Sequence, residues 1–261
     1  MTDYLKPLPV ADVAAWYYRL ADSITKNKVE NSEPLASVFL RHWLDNRQRD
    51  SLYSFNPPAY LQQHSKVKEV LQYHRDVFLT KQKGRTNKTE QWMGILPRLQ
   101  GATGYTRWPG NGILTMNYES LCDIAPDVMA IIKIQSSGSA ADRDLMTALR
   151  GFQLESNVTL IGKPSANNKI QISFTTWKCV VHDTYDWNYN EYFTVPNPDY
   201  GSKIEKAVRP DDQSLKVFHS NAKRLEDAGL AAPYKIESSA WSISDAALMS
   251  PETVDPARKI R

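Results

Sequence analysis

The chain has 261 residues, 41% of them hydrophobic and 23% charged, with a formal net charge of +3. This length supports one large domain or two small ones around a real core, and the composition is that of an ordinary globular protein. A positive charge this small, set against 29 Asp and Glu, argues against a nucleic-acid binder.

Two cysteines, Cys122 and Cys179, are too few for a disulfide framework or a structural zinc site and leave room for one bridge. The opening "MTDYLKPLPVADVAAW" lacks the basic start and apolar core of a secretory signal. No apolar run approaches the ~20 residues that span a bilayer. The expectation is a chain made in the cytoplasm without a signal peptide and with no transmembrane segment.

The first third has helical periodicity. In "VADVAAWYYRLADSITKN", Val10, Val13, Tyr17, Leu20, Ala21 and Ile24 form one stripe, with Asp12 available as a cap. "PLASVFLRHWLDNR" repeats the pattern through Leu35, Val38, Phe39 and Trp43, with Pro34 suited to a first turn. "AYLQQHSKVKEVLQYHRDVFLTK" predicts one longer helix, whose His64 and His74 are expected as surface or half-buried residues rather than as ligands.

From Gly84 to Gly112 glycine, threonine and tryptophan dominate, and Pro97 and Pro109 break helical periodicity. Short strands are predicted around Trp92 to Leu96 and Ile113 to Tyr118, another in "VMAIIKIQSSGSA", and a short helix in "AADRDLMTALRG". "FQLESNVTLIG", the turn "KPSANN" and "KIQISFTTWKCVVHDTYDW" predict a long hairpin, with alternation breaking near Cys179. "LKVFHSNAKRLEDAGL" predicts a helix closed by Gly229, "PYKIESSAWSIS" a last strand, and "SPETVDPARKIR" a loosely held tail.

The expected fold class is α+β: an N-terminal helical layer, then a curved, mostly antiparallel sheet in the manner of a half-barrel, with one C-terminal helix. The expected divisions are 1–83 helical, 84–150 mixed and connecting, and 151–261 β-rich and catalytic.

Where the second long strand runs out stands "HDTYDWNYNEY", a histidine, two aspartates and several aromatic rings. Alternation places Asp183 and Tyr185 on one face and His182, Thr184 and Asp186 on the other. A bend near Tyr185 brings the two carboxylates together instead, in reach of a shared cation or of split acid and base roles. The alternative is a turn in which the aspartates cap backbone amides while the rings pack beside them.

The string "DTYDWN", Asp183 to Asn188, resembles the signature of colicin M-type bacteriocin domains, which degrade lipid II, the undecaprenyl-linked peptidoglycan precursor. The likeness covers about residues 150 to 240, with "FHSNAKRLEDAG" matching the histidine that opens a helix in that family. Ser220 stands where the family has an arginine, which makes Arg209 and Arg224 candidate substitutes. The chain also resembles uncharacterised bacterial proteins encoded beside type VI secretion genes.

The resemblance implies an antibacterial toxin that hydrolyses the polyprenyl-pyrophosphate linkage, acting in the periplasm of a target cell after delivery by a secretion machine. It implies catalytic roles for Asp183, Tyr185, Asp186 and His219, with Asp183 and Asp186 holding a magnesium ion (Mg2+). Asn188, Arg209 and Arg224 are the residues expected to bind substrate. An immunity protein and a secretion-system component are the implied partners. The alternative is a non-enzymatic binding or adaptor protein of a secretion or toxin locus, with the helical layer as its contact surface.

Overall fold

The computed structural model describes residues 3–81, 87–101, 105, 107–108, 112–124, 138–187, 192–201 and 213–258. The expected strand in "VMAIIKIQ", and the candidate binders Asn188 and Arg209, lie outside these residues. The chain forms two compact units, each built from three separate segments. One takes Met1–Tyr60, Asp123–Gly151 and Asp183–Glu237; the other takes Leu61–Cys122, Phe152–His182 and Ser238–Arg261. Both therefore draw on stretches that sequence patterning treats as successive.

The first unit begins with helices α1 (Val10–Thr25) and α2 (Leu35–Asp45). Apolar residues at three- and four-residue spacing bury Val13, Trp16, Tyr17, Leu20 and Ala21 on α1, and Phe39, Leu40, Trp43 and Leu44 on α2. Asp12 is not the cap of α1; Pro9 occupies that position and Asp12 lies in the first turn, where a carboxylate still favours the helix dipole. Pro34 likewise precedes α2 as its cap residue, with no side-chain oxygen to offer. The first amides of α2 are satisfied from elsewhere: the buried Asp144 carboxylate accepts from Leu35 N (2.9 Å) and Ala36 N (3.0 Å), and from the Tyr60 hydroxyl (2.8 Å). Asp144 sits on α7 (Ala140–Ala148), which opens with a reciprocal capping box between Ser139 and Asp142.

The same unit contains β1 (Ser51–Phe55), a strand with no clear sequence signal, and the first half of α3 (Ala59–Gln62). Further along come the hairpin of β5 (Tyr192–Pro196) and β6 (Ser214–Phe218), helix α8 (His219–Asp227) and β7 (Tyr234–Ser238). The helix predicted from sequence begins at Leu215. The structure corrects this: Leu215 and Val217 alternate inward as strand residues, and the 3.6-residue period begins only at His219.

The second unit holds α4 (Ser65–Leu79), α5 (Lys88–Met93), α6 (Ile95–Gln100), most of β2 (Ile113–Asp123), and the long hairpin of β3 (Gly151–Pro164) and β4 (Ile170–Tyr185) except for the end of β4 from Asp183, which belongs to the first unit. Where strand had been expected, Trp92 to Leu96 spans the junction of two short helices. Asn87 caps α5 by accepting from Thr89 N (3.1 Å), and Gly94 joins the pair. The single long helix expected from Ala59 is divided, because His64 Nδ1 caps α4 by accepting from Lys66 N (3.2 Å). His74, expected at the surface or half-buried, is fully buried, its ring nitrogens satisfied by Ser120 Oγ (2.6 Å) and Ser156 Oγ (2.7 Å). Cys122 and Cys179 are both free and buried.

The tail is also firmer than expected. Helix α9 (Ala246–Met249) is followed by β9 (Glu252–Val254), which pairs antiparallel with the start of β4 and buries Val254. Arg75 of α4 donates to Leu248 O (3.0 Å) and Ser250 O (2.9 Å), and Lys81 forms an ion pair with Glu252 (2.6 Å). The larger sheet has the order β1-β7-β4-β3-β2, with β9 and the short β8 (Trp241–Ser242) also pairing with β4. The fold is thus α+β, with N-terminal helices and an open seven-stranded sheet. No described helix is long and apolar enough to cross a membrane.

Candidate functional site

The site expected from sequence lies at the end of β4. Along that strand Ile172 and Phe174 point inward, and then the pattern slips by one. The slip comes at Thr175, where β3 and β4 change register between Thr159 and Leu160, rather than near Cys179. After it Trp177, Cys179 and Val181 are the inward residues, and the same parity carries Asp183 and Tyr185 onto that face. The bulge therefore decides which side chains of the motif point inward.

Asp183 is half-buried, and its Oδ1 accepts from Thr184 N (2.8 Å). Burial raises its carboxyl to about 7; the amide bond opposes this, and the charge of Asp186 adds to it. Asp186 itself is exposed. The two carboxylates are thus electrostatically coupled, but they stand in different surroundings. His182 points to the other face, where its Nε2 meets Glu155 Oε2 at 2.9 Å, a contact that lowers the Glu155 pKa against the opposing effect of burial.

Tyr185 enters a cluster of rings. It stacks on Tyr234 of β7 at 5.3 Å and meets Trp187 edge-on at 5.8 Å and Phe39 of α2 at 6.3 Å. Burial holds the phenols of Tyr185, Tyr234 and Tyr17 well above their ordinary range, so all three stay protonated. Trp187 is the hub: its indole lies 5.2 Å from Trp43, 6.0 Å from Tyr17 and 5.0 Å from the ring of His219. Each pair has the tilted or edge-on geometry that aromatic quadrupoles favour.

His219 is the first residue of α8, so the helix start delivers its imidazole to the Trp187 indole. The structure thus brings Tyr185, Trp187 and His219 into one cluster, with Asp183 and Asp186 on the strand end that carries it. Arg224 points elsewhere. Its guanidinium donates to Leu5 O (3.2 Å), Lys6 O (3.2 Å), Leu8 O (2.6 Å) and Asn221 Oδ1 (3.3 Å), which ties α8 to the N-terminal segment.

Sequence patterning does not reveal the wall of this corner: Tyr17 and Trp43 read as members of helix stripes, and Tyr53 and Tyr234 carry no signal of their own. Tyr234 is buried and donates to Phe39 O (2.9 Å). Trp43 Nε1 donates to the buried Glu226 of α8 (3.1 Å), which also accepts from Lys223 (2.9 Å). The only sequence signal for these partners is a density of aromatic residues, which carries no pairing information.

Comparison with protein-family models, with curated proteins and with solved structures returns no match for this chain.

Proposed function

We propose that the corner at the end of β4 is the site of a hydrolase that cleaves a phosphoester bond in a lipid-linked pyrophosphate. Lipid II is the substrate that the motif resemblance implies. The observation that supports this reading is the packing of His219 on Trp187, because it gathers the motif and a histidine more than thirty residues downstream into one place. A bare turn of capping aspartates has no need of that histidine.

The chain's own groups divide the work by environment. Asp183, half-buried and coupled to Asp186, exchanges a proton near neutrality and is suited to take one from the attacking water. Tyr185 stays protonated and offers a hydrogen bond to a phosphate oxygen. His219 is placed to return a proton to the leaving group. Trp187 holds the histidine, and the surrounding rings offer an apolar wall for a lipid-linked substrate.

Asp183 and Asp186 fit a magnesium ion, since a hard divalent cation would relieve the repulsion that Asp186 exerts on Asp183. Among the described residues no three His, Cys, Asp or Glu side chains cluster as metal ligands, so water and phosphate oxygens would complete the shell. When bound, the ion supplies positive charge against the pyrophosphate.

The test is lipid II hydrolysis with and without magnesium, alongside thermal melts. Asp183→Ala is expected to abolish cleavage with little change in melting, and His219→Ala to cost roughly 10²–10⁴ in rate. Asp186→Ala and Tyr185→Phe are expected to be milder. An Asp183→Ala protein that melts early yet still cleaves reduces the corner to a turn, and a wild-type protein that never cleaves favours the adaptor reading. As a toxin the chain is expected to arrest growth only when directed to the periplasm. Equal growth of hosts making it in either compartment, with expression confirmed, overturns the toxin role.

A further inference from the structure

A second group of reactive side chains lies in the other unit and takes no part in the site above. Ser120 on β2, Val70 and Tyr73 on α4, Glu90 on α5 and Tyr118 line an open cavity of about 480 Å³. Ser120 Oγ is 2.6 Å from His74 Nε2, and His74 Nδ1 is 2.7 Å from Ser156 Oγ. Ser156 in turn lies 3.7 Å from the Cys179 sulfur. In the Nδ1–H tautomer the ring donates to Ser156 Oγ and leaves Nε2 to accept from the Ser120 hydroxyl.

We infer that Ser120 is a nucleophile, with His74 as its general base and Ser156 as the residue that orients the imidazole, in a site that cleaves acyl esters. The arrangement has the parts that activate a serine: a hydroxyl lining a cavity, a histidine within hydrogen-bond reach, and a third group fixing the ring. The Ser120 oxygen attacks the ester carbonyl as its proton passes to His74 Nε2, and that proton leaves with the alcohol. Water then attacks the acyl-Ser120 ester, returning the proton to Ser120 and releasing the acid. Ester plus water gives acid plus alcohol.

Burial lowers His74 to about 4, so the ring is neutral at physiological pH. It is also a weak base, which restricts the site to esters with good leaving groups. The Glu90 carboxylate is held in the cavity wall by the hydroxyls of Tyr73 and Tyr118. Its negative charge favours uncharged or amine-bearing esters over those that carry an acid.

The experiment is covalent labelling of the full chain by a fluorophosphonate, read by intact mass and peptide mapping. One adduct is expected, on Ser120, present in the folded protein and lost in urea. His74→Asn is expected to slow labelling by about 10²-fold or more. Ser156→Ala, which removes a single hydroxyl and is the safer variant for folding, is expected to slow it about tenfold. Absence of an adduct on Ser120 in the folded protein overturns the inference, as does an unchanged labelling rate in the Ser156 variant.

Discussion

Asp183 shows how one residue couples the fold to pH. Its carboxyl ionises at about 7 in the folded chain against about 4 when unfolded. Between those values the folded state holds a proton that the unfolded state has released, so stability falls as pH rises through this window. Asp183→Asn removes the dependence. The variant is expected to match the parent near pH ~4 and exceed it near pH ~8 by roughly 1–2 kcal/mol, a figure discounted for the partial exposure of the group. Urea titrations at the two pH values measure it. Asp144 is a counterpart with a structural task. Its carboxylate stands in for the cap that Pro34 lacks, so Asp144→Ala leaves two α2 amides and the Tyr60 hydroxyl unsatisfied. A loss of about 2–3 kcal/mol is expected in the same titrations.

Among the elements, legibility followed the range of the forces involved. Helices α1, α2, α4 and α7 and the β3–β4 hairpin were visible because side-chain period and local turn chemistry decide them. Strand β1 was not, since five residues give too short a pattern, and it is held by contacts such as Phe55 against Phe39 at 5.2 Å. The helices α5 and α6 are not legible in the sequence because Gly94 and Pro97 look like breakers there. Here Gly94 is a close approach: a Cβ on it would lie 1.5 Å from Thr80 Oγ1 and 2.9 Å from the Val77 carbonyl oxygen. Gly94→Ala is therefore expected to cost about 2–3 kcal/mol by overpacking. Adding Thr80→Ala recovers only part of this, because the backbone carbonyl remains. Within the site, strand parity put Asp183 and Tyr185 on one face, while the bulge at Thr175 that turns this face inward left no mark in the sequence. The cluster around Trp187 could not be read, because it joins residues 17, 43, 185, 187 and 219 through packing alone.

For the whole molecule, the interleaved units set what can be cut apart. Each unit takes one segment from early, middle and late parts of the chain, so neither lies on a contiguous fragment. A fragment covering 151–261 carries the motif and β4 but lacks the α1 and α2 rings that pack on Trp187 and Tyr185. It is expected to show no cooperative thermal transition by circular dichroism, whereas the full chain melts cooperatively.

The pairing of β9 has a consequence for how the protein tolerates shortening. On the side away from β3, the first residues of β4 are met by Glu252, Thr253 and Val254. Ending the chain after Ser250 leaves the backbone donors and acceptors of Ile170 and Ile172 as an open margin, free to template a strand from a neighbouring molecule. Such a truncated protein is expected to form concentration-dependent oligomers on size exclusion, while the parent elutes as before. A lysine or proline placed in that margin is expected to restore the parent's behaviour, so these last strand residues serve as a guard against self-association.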